Sequence, residues 1–166
     1  GSLCQIARRR SDRSLNRKPE PAPSHDAAEE KETGMLTELH IQTAMRSEMI
    51  DITPHVHDVV GRSGVDEGVC HVYVLHTTAG VTLNENWDPS VRDDVLRTLE
   101  QLVPRMGDYR HAEGNSPAHI KAILTGFTVT IPITEGEMVL GSWQGIFLAE
   151  YDGPRSRRVM VKIIEG

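Results

Sequence analysis

Aromatic residues and cysteines are scarce in this sequence of 166 residues, and long apolar runs are missing. Phe, Trp and Tyr together make up only 4% of the chain. No run of about 18 apolar residues exists, so no segment is expected to cross a membrane as a helix. The two cysteines, Cys4 and Cys70, lie far apart, which argues against a disulfide scaffold and a thiolate metal site. This composition fits a protein of the reducing cytoplasm.

Basic residues are also sparse after the first eighteen positions. Residues 1–18 carry six basic side chains and one acidic one, whereas the whole chain has a net charge of −6. Contacts with nucleic-acid phosphates need clustered Lys and Arg, so the acidic remainder argues against a nucleic-acid-binding protein. A chain of this length has room for one domain's core.

Residues 1–34 are predicted to be an extension, and residues 35–166 the folded domain. From Lys18 to Gly34 the chain is rich in Pro, Ala and charge, with no apolar residue larger than alanine, so it buries too little surface to offset chain entropy. Disorder is therefore expected. The alternatives are an organelle-targeting peptide, acylation of Gly1 with Cys4, and a tag-derived start. Met35 is a candidate start of the domain itself.

The pattern of the remaining residues predicts an α+β fold built on a mainly antiparallel β-sheet sandwich with three helices. Thr53-Pro54, Asp88-Pro89 and Ser116-Pro117 each resemble a helix N-cap followed by proline. The strongest strand runs from Gly68 to His76, and its alternation places Cys70, Val72, Val74 and His76 on one face. Further strands are expected within residues 36–44, 47–52, 81–83, 127–133, 138–140, 143–151 and 159–164. Strands and helices that are segregated along the chain in this way favour α+β rather than a doubly wound fold.

The first polar motif is His76-Thr-Thr-Ala-Gly-Val-Thr-Leu-Asn-Glu-Asn86, which directly follows that strand. It gathers an imidazole, hydroxyls, amides and a carboxylate within eleven residues. We expect His76 to act as a catalytic group or metal ligand, and Thr77, Thr78 and Asn84 to bind substrate. The alternative is that His76 is a hydrogen-bonded structural residue at a strand end, and that the other side chains belong to the strand end and turn.

The second polar motif is Tyr109-Arg-His-Ala-Glu-Gly-Asn-Ser-Pro-Ala-His119. His119 falls in the first turn of a predicted helix, where the helix dipole disfavours added positive charge and keeps imidazole neutral. Neutral imidazole is the form that binds Zn²⁺. Together His76, His111 and His119 are expected to supply a three-histidine site for a divalent metal, Zn²⁺ or Mg²⁺, with an open position for water or substrate. His40, His55, His57 and His71 are interpreted as structural or surface residues.

Carboxylates and amides near these motifs are further candidates. Glu113 and Asp88 are expected to act as catalytic or orienting carboxylates, while Asn115 and Gln144 bind substrate. Turn chemistry explains Asn115 equally well, and helix capping explains Asp88. Trp143 is predicted to lie in the core.

The last strands contain charged residues whose role depends on burial. Glu150 lies in an apolar strand and needs a partner if it is buried, either within the site or across a subunit contact. Arg155, Arg157 and Arg158 are predicted to form a solvated hairpin or an anion contact in an oligomer.

The motifs in this order resemble the YjbQ-like family of small proteins, whose members are often labelled secondary thiamine-phosphate synthases. The likeness rests on His76-Thr-Thr-Ala79, Asn84-Glu85, Asp88, the block from His111 to His119, and Trp143-Gln144. It covers residues 36–166 and implies an α+β fold assembled as a homotrimer, with polar pockets near the subunit contacts. It also implies condensation of a pyrimidine pyrophosphate with a thiazole phosphate, releasing pyrophosphate. A pyrophosphate leaving group requires cations or Mg²⁺, and near the motifs Arg110 and Lys121 are the obvious ones.

Three hypotheses therefore remain open from the sequence. The first is a small-molecule enzyme whose histidines bind a metal or perform acid–base chemistry on a small, phosphorylated ligand, with the thiamine reaction as its main or side activity. The second is a non-catalytic trimeric protein that binds a metal or metabolite. The third is a docking protein whose polar cluster is only a subunit interface.

Overall fold

A computed structural model describes residues 36–166, which form eight strands and three helices. Along the chain these are β1 (Leu36–Gln42), β2 (Glu48–Asp51), α1 (Thr53–Ser63), β3 (Gly68–Val74), β4 (Ala79–Glu85), α2 (Pro89–Leu102), α3 (Ser116–Thr125), β5 (Thr128–Thr134), β6 (Glu137–Met138), β7 (Gln144–Glu150) and β8 (Ser156–Glu165). The extension of residues 1–34, with its predicted disorder or targeting role, lies outside the described residues, as does Met35.

The strands form two antiparallel sheets, which confirms the predicted α+β class. The larger sheet has the order β1-β8-β3-β5-β6 and the smaller one the order β2-β7-β4. In the larger sheet β3 is central, because Cys70 pairs with Ile131 on one side and with Ile163 on the other. In the smaller sheet β7 is central, with Leu148 between Ile50 and Val81.

Two apolar clusters hold the sheets and helices together, and β7 contributes to both. Ile146 and Leu148 point into the cluster shared with α1, β3 and β8. Phe147 and Ala149 point the other way, into a cluster with α2 and α3. Fully burying side chains of this kind stabilises a fold by about 1.5–3 kcal/mol each for the larger ones. The strand is therefore fixed on both faces, and whatever follows its last residue is rigidly placed.

Helix starts differ in how they are capped. Asp88 caps α2 as expected, since its Oδ1 accepts a hydrogen bond from the Ser90 backbone N–H at 2.8 Å. Thr53, predicted as the cap of α1, is instead its first residue. Its Oγ1 donates to Asp51 and accepts from the Ile146 backbone N–H at 2.8 Å. The hydroxyl thus ties α1 to β7 rather than capping the helix.

Two predictions of side-chain burial are also wrong. Trp143, expected in the core, is 67% exposed because it lies in the turn before β7. Arg157, expected in a solvated hairpin, is buried because it shares the inward face of β8 with Val159, Val161 and Ile163. No helix within residues 36–166 has both the length and the apolar character to cross a membrane.

Candidate functional site

His76 lies just beyond the end of β3 and is held by the backbone of β8. Its Nε2 accepts a hydrogen bond from the Arg158 backbone N–H at 2.8 Å. Burial of the ring, together with the positive charges of Arg157 and Arg158, lowers the pKa of His76 below 6.5. The ring is therefore neutral near pH 7, with its proton on Nδ1 because Nε2 is the acceptor. Only the Nδ1 side of this ring is left for further contacts.

A buried ion pair lies beside His76 and joins β7 to β8. Glu150 and Arg157 are 0% and 3% exposed. Arg157 donates from Nε and Nη2 to the two carboxylate oxygens of Glu150, with Nε to Oε2 at 2.7 Å. Thr78, predicted to bind substrate, is part of this framework, since its Oγ1 accepts from Arg157 Nη2 at 2.9 Å. Its neighbour Thr77 is exposed.

His111 and His119 lie together in the loop before α3 and in its first turn. Their ring centroids are 5.3 Å apart with an interplanar angle of 78°, an edge-to-face arrangement. Glu113 Oε2 lies 3.8 Å from His111 Nε2, which is beyond hydrogen-bond distance. We call the surrounding cleft of about 470 Å³ the histidine cleft; it is lined by Asp108, Tyr109, Arg110, His111, Ser116, His119 and Ile120.

A second cleft of about 490 Å³, here called the arginine cleft, shares the same loop. It is lined by Arg46, Arg105, Met106, Glu113, Gly114, Asn115, Asp152 and Arg155. The loop thus presents His111 to the histidine cleft and Glu113 to the arginine cleft. These two clefts are neighbours because one short segment, residues 108–116, contributes to both.

Asp152 organises one wall of the arginine cleft. Its Oδ2 accepts hydrogen bonds from Arg155 Nη2 at 2.7 Å and from Asn115 Nδ2 at 3.0 Å. Partial burial works against the charged carboxylate, but these hydrogen bonds and the charges of Arg155 and Arg46 outweigh it and lower the pKa of Asp152. Asp152 is therefore ionised near neutral pH and holds Arg155 in place.

Asn115 carries a feature unique within residues 36–166. Its Oδ1 is the one buried side-chain nitrogen or oxygen atom in that range without a hydrogen-bond partner. Leaving a buried acceptor unpaired costs about 1–3 kcal/mol. Asn115 precedes α3, but its side chain does not cap that helix. The unpaired oxygen is therefore enclosed behind the cleft surface, while Nδ2 of the same amide holds Asp152.

The predicted amides Asn84 and Gln144 line a different cleft of about 560 Å³, with the exposed Trp143. Asn84 Oδ1 accepts from the Glu85 backbone N–H, and Gln144 Oε1 accepts from the Gly141 backbone N–H, both at 2.8 Å. Both side-chain oxygens thus have backbone partners within the chain. Asp88 lies near this segment in sequence, and its contact is the helix cap. The hydrogen bonds from Ser90 lower the pKa of Asp88.

The three predicted metal ligands do not meet within one chain. Among residues 36–166, no three His, Cys, Asp or Glu side chains are grouped so that they could hold a metal ion. His111 and His119 are neighbours, whereas His76 lies against β8 and is not among the residues that line their cleft. One chain therefore supplies two of the expected imidazoles, and its donor set for Zn²⁺ or Mg²⁺ is incomplete.

Residues 37–166 match a protein-family model described as UPF0047 protein YjbQ-like. The chain belongs to the YjbQ-like family. A UPF0047 protein of Methanocaldococcus jannaschii is 50% identical over 130 residues, which cover 78% of this chain and 94% of the relative. The UPF0047 protein YugU of Bacillus subtilis is 42% identical over 131 residues, covering 78% of this chain and 99% of YugU.

Solved structures of the family show the same fold. A YjbQ/UPF0047 protein from Clostridium acetobutylicum is 50% identical with a TM-score of 0.76, covering 77% of this chain and 99% of that one. A YbjQ-like protein from Sulfolobus solfataricus is 32% identical with a TM-score of 0.78, covering 80% and 98%. The family resemblance predicted from the ordered motifs is therefore confirmed.

The arginine cleft contains residues that the sequence motifs did not indicate as site residues. Arg46 lies in the turn between β1 and β2, and Arg105 follows α2. Each is a single basic residue without a local pattern, and the two are brought to one cleft only by the fold. Lys121, which was predicted to be a cation near the site, is buried and paired with Glu100. Arg110 lines the histidine cleft.

Proposed function

We propose that this member of the YjbQ-like family is a small-molecule enzyme whose chemistry is centred on His111 and His119. The observation that carries the proposal is the pair of imidazoles, 5.3 Å apart, in a cleft of about 470 Å³. Histidine is the usual residue for moving protons near neutral pH, and a positioned acid or base contributes about 10²–10⁴-fold to a rate. In this proposal the thiazole ring nitrogen, which carries no proton, attacks the pyrimidine methylene carbon as the bond from that carbon to the pyrophosphate oxygen breaks. The two imidazoles act on the leaving group by donating a hydrogen bond or a proton to the departing oxygen.

The reaction proposed is the one that the family resemblance implies: condensation of a pyrimidine pyrophosphate with a thiazole phosphate, releasing pyrophosphate. Negative charge builds on the departing oxygen as its bond to carbon breaks, so donors and cations nearby lower the barrier. Arg110 in the histidine cleft and the neighbouring arginines supply positive charge in an otherwise acidic chain. We place this activity in the cytoplasm, where a buried free thiol such as Cys70 stays reduced.

A homotrimer is part of the proposal. The side chains of Ile123 and Leu124 on α3 are 68% and 55% exposed, and exposed apolar side chains on one helix favour a protein contact. The family resemblance implies three-fold assembly. In such an assembly a second chain would bring its own side chains toward a site that one chain leaves incomplete.

The second candidate function is a non-catalytic trimeric protein that binds a divalent metal or a metabolite. It is favoured by the incomplete donor set of His111 and His119, which a partner chain would complete. It predicts tight binding without product formation. Neither version uses the predicted catalytic roles of His76 and Asp88, whose observed contacts are to the β8 backbone and to the start of α2; those roles remain predictions.

The test is pyrophosphate release from the two substrates by the full-length protein. His111→Asn and His119→Asn should each reduce kcat by roughly 10²-fold or more, while the chain keeps its fold and its oligomer mass. His57→Asn is the matched control, since His57 is exposed and pairs with Glu137 away from the cleft. Full activity in both cleft variants would overturn the proposed enzyme, and retention of bound metal or metabolite without turnover would favour the second candidate.

A further inference from the structure

The arginine cleft has more positive charge than its own carboxylates neutralise. Arg155 is paired with Asp152, and Glu113 lies beside His111. Arg46 and Arg105 line the same cleft, and within residues 36–166 neither guanidinium forms an ion pair. The cleft therefore has three guanidinium groups and two carboxylates, and two of the guanidinium groups form no ion pair within residues 36–166, although the charge of Arg46 acts on Asp152 at longer range.

Guanidinium groups match phosphate oxygens particularly well. Their planar arrangement of N–H groups donates two parallel hydrogen bonds to one phosphate, which a lysine cannot do. Arg155 adds a third guanidinium whose position is fixed, because Asp152 accepts from its Nη2 and the Asp152 carbonyl accepts from its Nε, both at 2.7 Å. A fixed cation beside two unpaired ones is the arrangement expected for an anion subsite.

Asn115 supports the position of Asp152 in this cleft. The residue is 8% exposed, and its Nδ2 donates to the Asp152 carboxylate at 3.0 Å. The orientation of its amide is fixed, because a flipped amide would place two oxygens together. Its Oδ1 is buried, so the contacts available to a ligand in the cleft are those of the guanidinium groups. A ligand that fits them is an anion with several oxygens, such as a phosphate monoester.

We propose that the arginine cleft is a phosphoryl-binding subsite, in which Arg46, Arg105 and Arg155 hold the phosphate oxygens. The proposal rests on the proposed function in one respect, the identification of the bound group as part of the substrate of the histidine cleft. The shared loop of residues 108–116 places the phosphoryl group beside the two imidazoles. Arg46 and Arg105 thereby determine specificity for phosphorylated over unphosphorylated substrates.

The test is calorimetric titration of the full-length protein with inorganic phosphate and with inorganic pyrophosphate at constant ionic strength. We expect binding to the wild type, and Arg46→Gln and Arg105→Gln should each raise Kd by about tenfold, the loss expected for one charge-assisted contact. Arg62→Gln, an exposed arginine on α1, is the matched control and should leave Kd unchanged. Sulfate should compete with phosphate, whereas chloride at equal ionic strength should not.

Further variants separate this subsite from the chemistry. Arg46→Lys keeps the positive charge but loses the planar guanidinium, and it should give an intermediate Kd. An intermediate value would show that the weaker binding of Arg46→Gln does not come from misfolding. His57→Asn, at an exposed position of α1 that lines neither cleft, should bind phosphate as the wild type does. Absence of phosphate binding in the wild type, or equal Kd in all the arginine variants, would overturn the subsite even if turnover is observed. Arginine-dependent phosphate binding without pyrophosphate release would retain the subsite and reject the proposed reaction.

Discussion

The end of β7, the start of β8 and the loop that connects them between the two sheets contain two carboxylate–arginine pairs with contrasting surroundings. The Glu150–Arg157 side chains are 0% and 3% exposed, whereas those of Asp152 and Arg155 are 10% and 52% exposed. Asp152 and Arg155 lie within the connecting loop, between Glu150 at the end of β7 and Arg157 near the start of β8. The two pairs are chemically similar and adjacent in sequence, but Glu150 and Arg157 lie in the core whereas Asp152 and Arg155 line a cleft.

The difference lies in how fully each pair is satisfied. Glu150 accepts hydrogen bonds from Arg157, from Thr43 Oγ1 at 3.0 Å, and from the backbone N–H groups of Tyr151 and Asp152 at 2.9 and 2.8 Å. Asp152 instead shares its charge with Asn115, whose own oxygen is left unpaired. Glu150 and Arg157, here called the inner pair, thus have their hydrogen bonds satisfied within the chain. Asp152 and Arg155, here called the outer pair, remain able to bind a ligand.

The largest expected effect comes from breaking the inner pair. Arg157→Met leaves the Glu150 carboxylate buried without its cation and should lower the free energy of unfolding by about 3–5 kcal/mol. Arg155→Met is the matched control on the outer pair and should cost only about 0–1 kcal/mol, since Arg155 is half exposed. Urea unfolding of both variants measures the difference. Equal losses in the two variants would contradict the contrast between them.

A smaller effect is expected at Thr43, which contacts both pairs. Its hydroxyl donates to Glu150 and accepts from the Arg155 backbone N–H at 2.7 Å. Thr43→Val removes both contacts and leaves a backbone donor unpaired, which should cost about 1–3 kcal/mol in urea unfolding. Thr37→Val on β1 is the control, with an expected change within about 0.5 kcal/mol. No loss at Thr43 would mean that the two pairs are not connected through it.

The smallest effect is a pH dependence at His76, next to the inner pair. Because the pKa of His76 is lowered below 6.5 in the folded chain, the unfolded chain binds more protons in that range. The contribution of the neutral ring is fully present above pH 6.5 and is lost as pH falls through the folded pKa.

Replacing this ring should flatten the acid side of the stability profile. His76→Gln keeps an acceptor for the Arg158 N–H but does not titrate, so its unfolding free energy should fall less between about pH 7.5 and about pH 5.5, one unit either side of the usual imidazole pKa of about 6.5. His55→Gln, at an exposed position of α1, is the control and should follow the wild type. Parallel profiles of unfolding free energy against pH for His76→Gln and the wild type would show that folding does not lower the pKa of the His76 ring.

Most of the fold was predictable because its signals are local. Proline near the start of each helix and strict alternation in β3 predicted these elements close to their observed bounds. The same alternation runs through Arg157, Val159, Val161 and Ile163, so the burial of Arg157 had a signal in the sequence. It was missed because three arginines near one another indicated a solvated surface. Trp143 was misplaced because an aromatic residue at the start of a strand fits a turn as well as a core.

The candidate site was predictable only where its residues are close in sequence. His111 and His119 share one motif, and the fold keeps them together. His76 was grouped with them by residue type, but its ring is held by the backbone of β8. Arg46, Arg105 and Asp152 come from three separate turns and meet only through the packing of β7 between two clusters. No local pattern in the sequence marks such a cleft.

The most direct test of the contrast between the two pairs is urea unfolding of the wild type and Arg155→Met at increasing phosphate concentrations. Binding to the folded state raises the free energy of unfolding by RT ln(1 + [L]/Kd), or about 2.7 kcal/mol at 100 times Kd. Without phosphate, the wild type and Arg155→Met should have similar free energies of unfolding. Adding phosphate should raise the free energy of unfolding of the wild type, and that of Arg155→Met much less. An equal increase in the free energy of unfolding of both proteins would show that phosphate binds elsewhere. The Asp152–Arg155 pair would then have only a structural role, as the Glu150–Arg157 pair has.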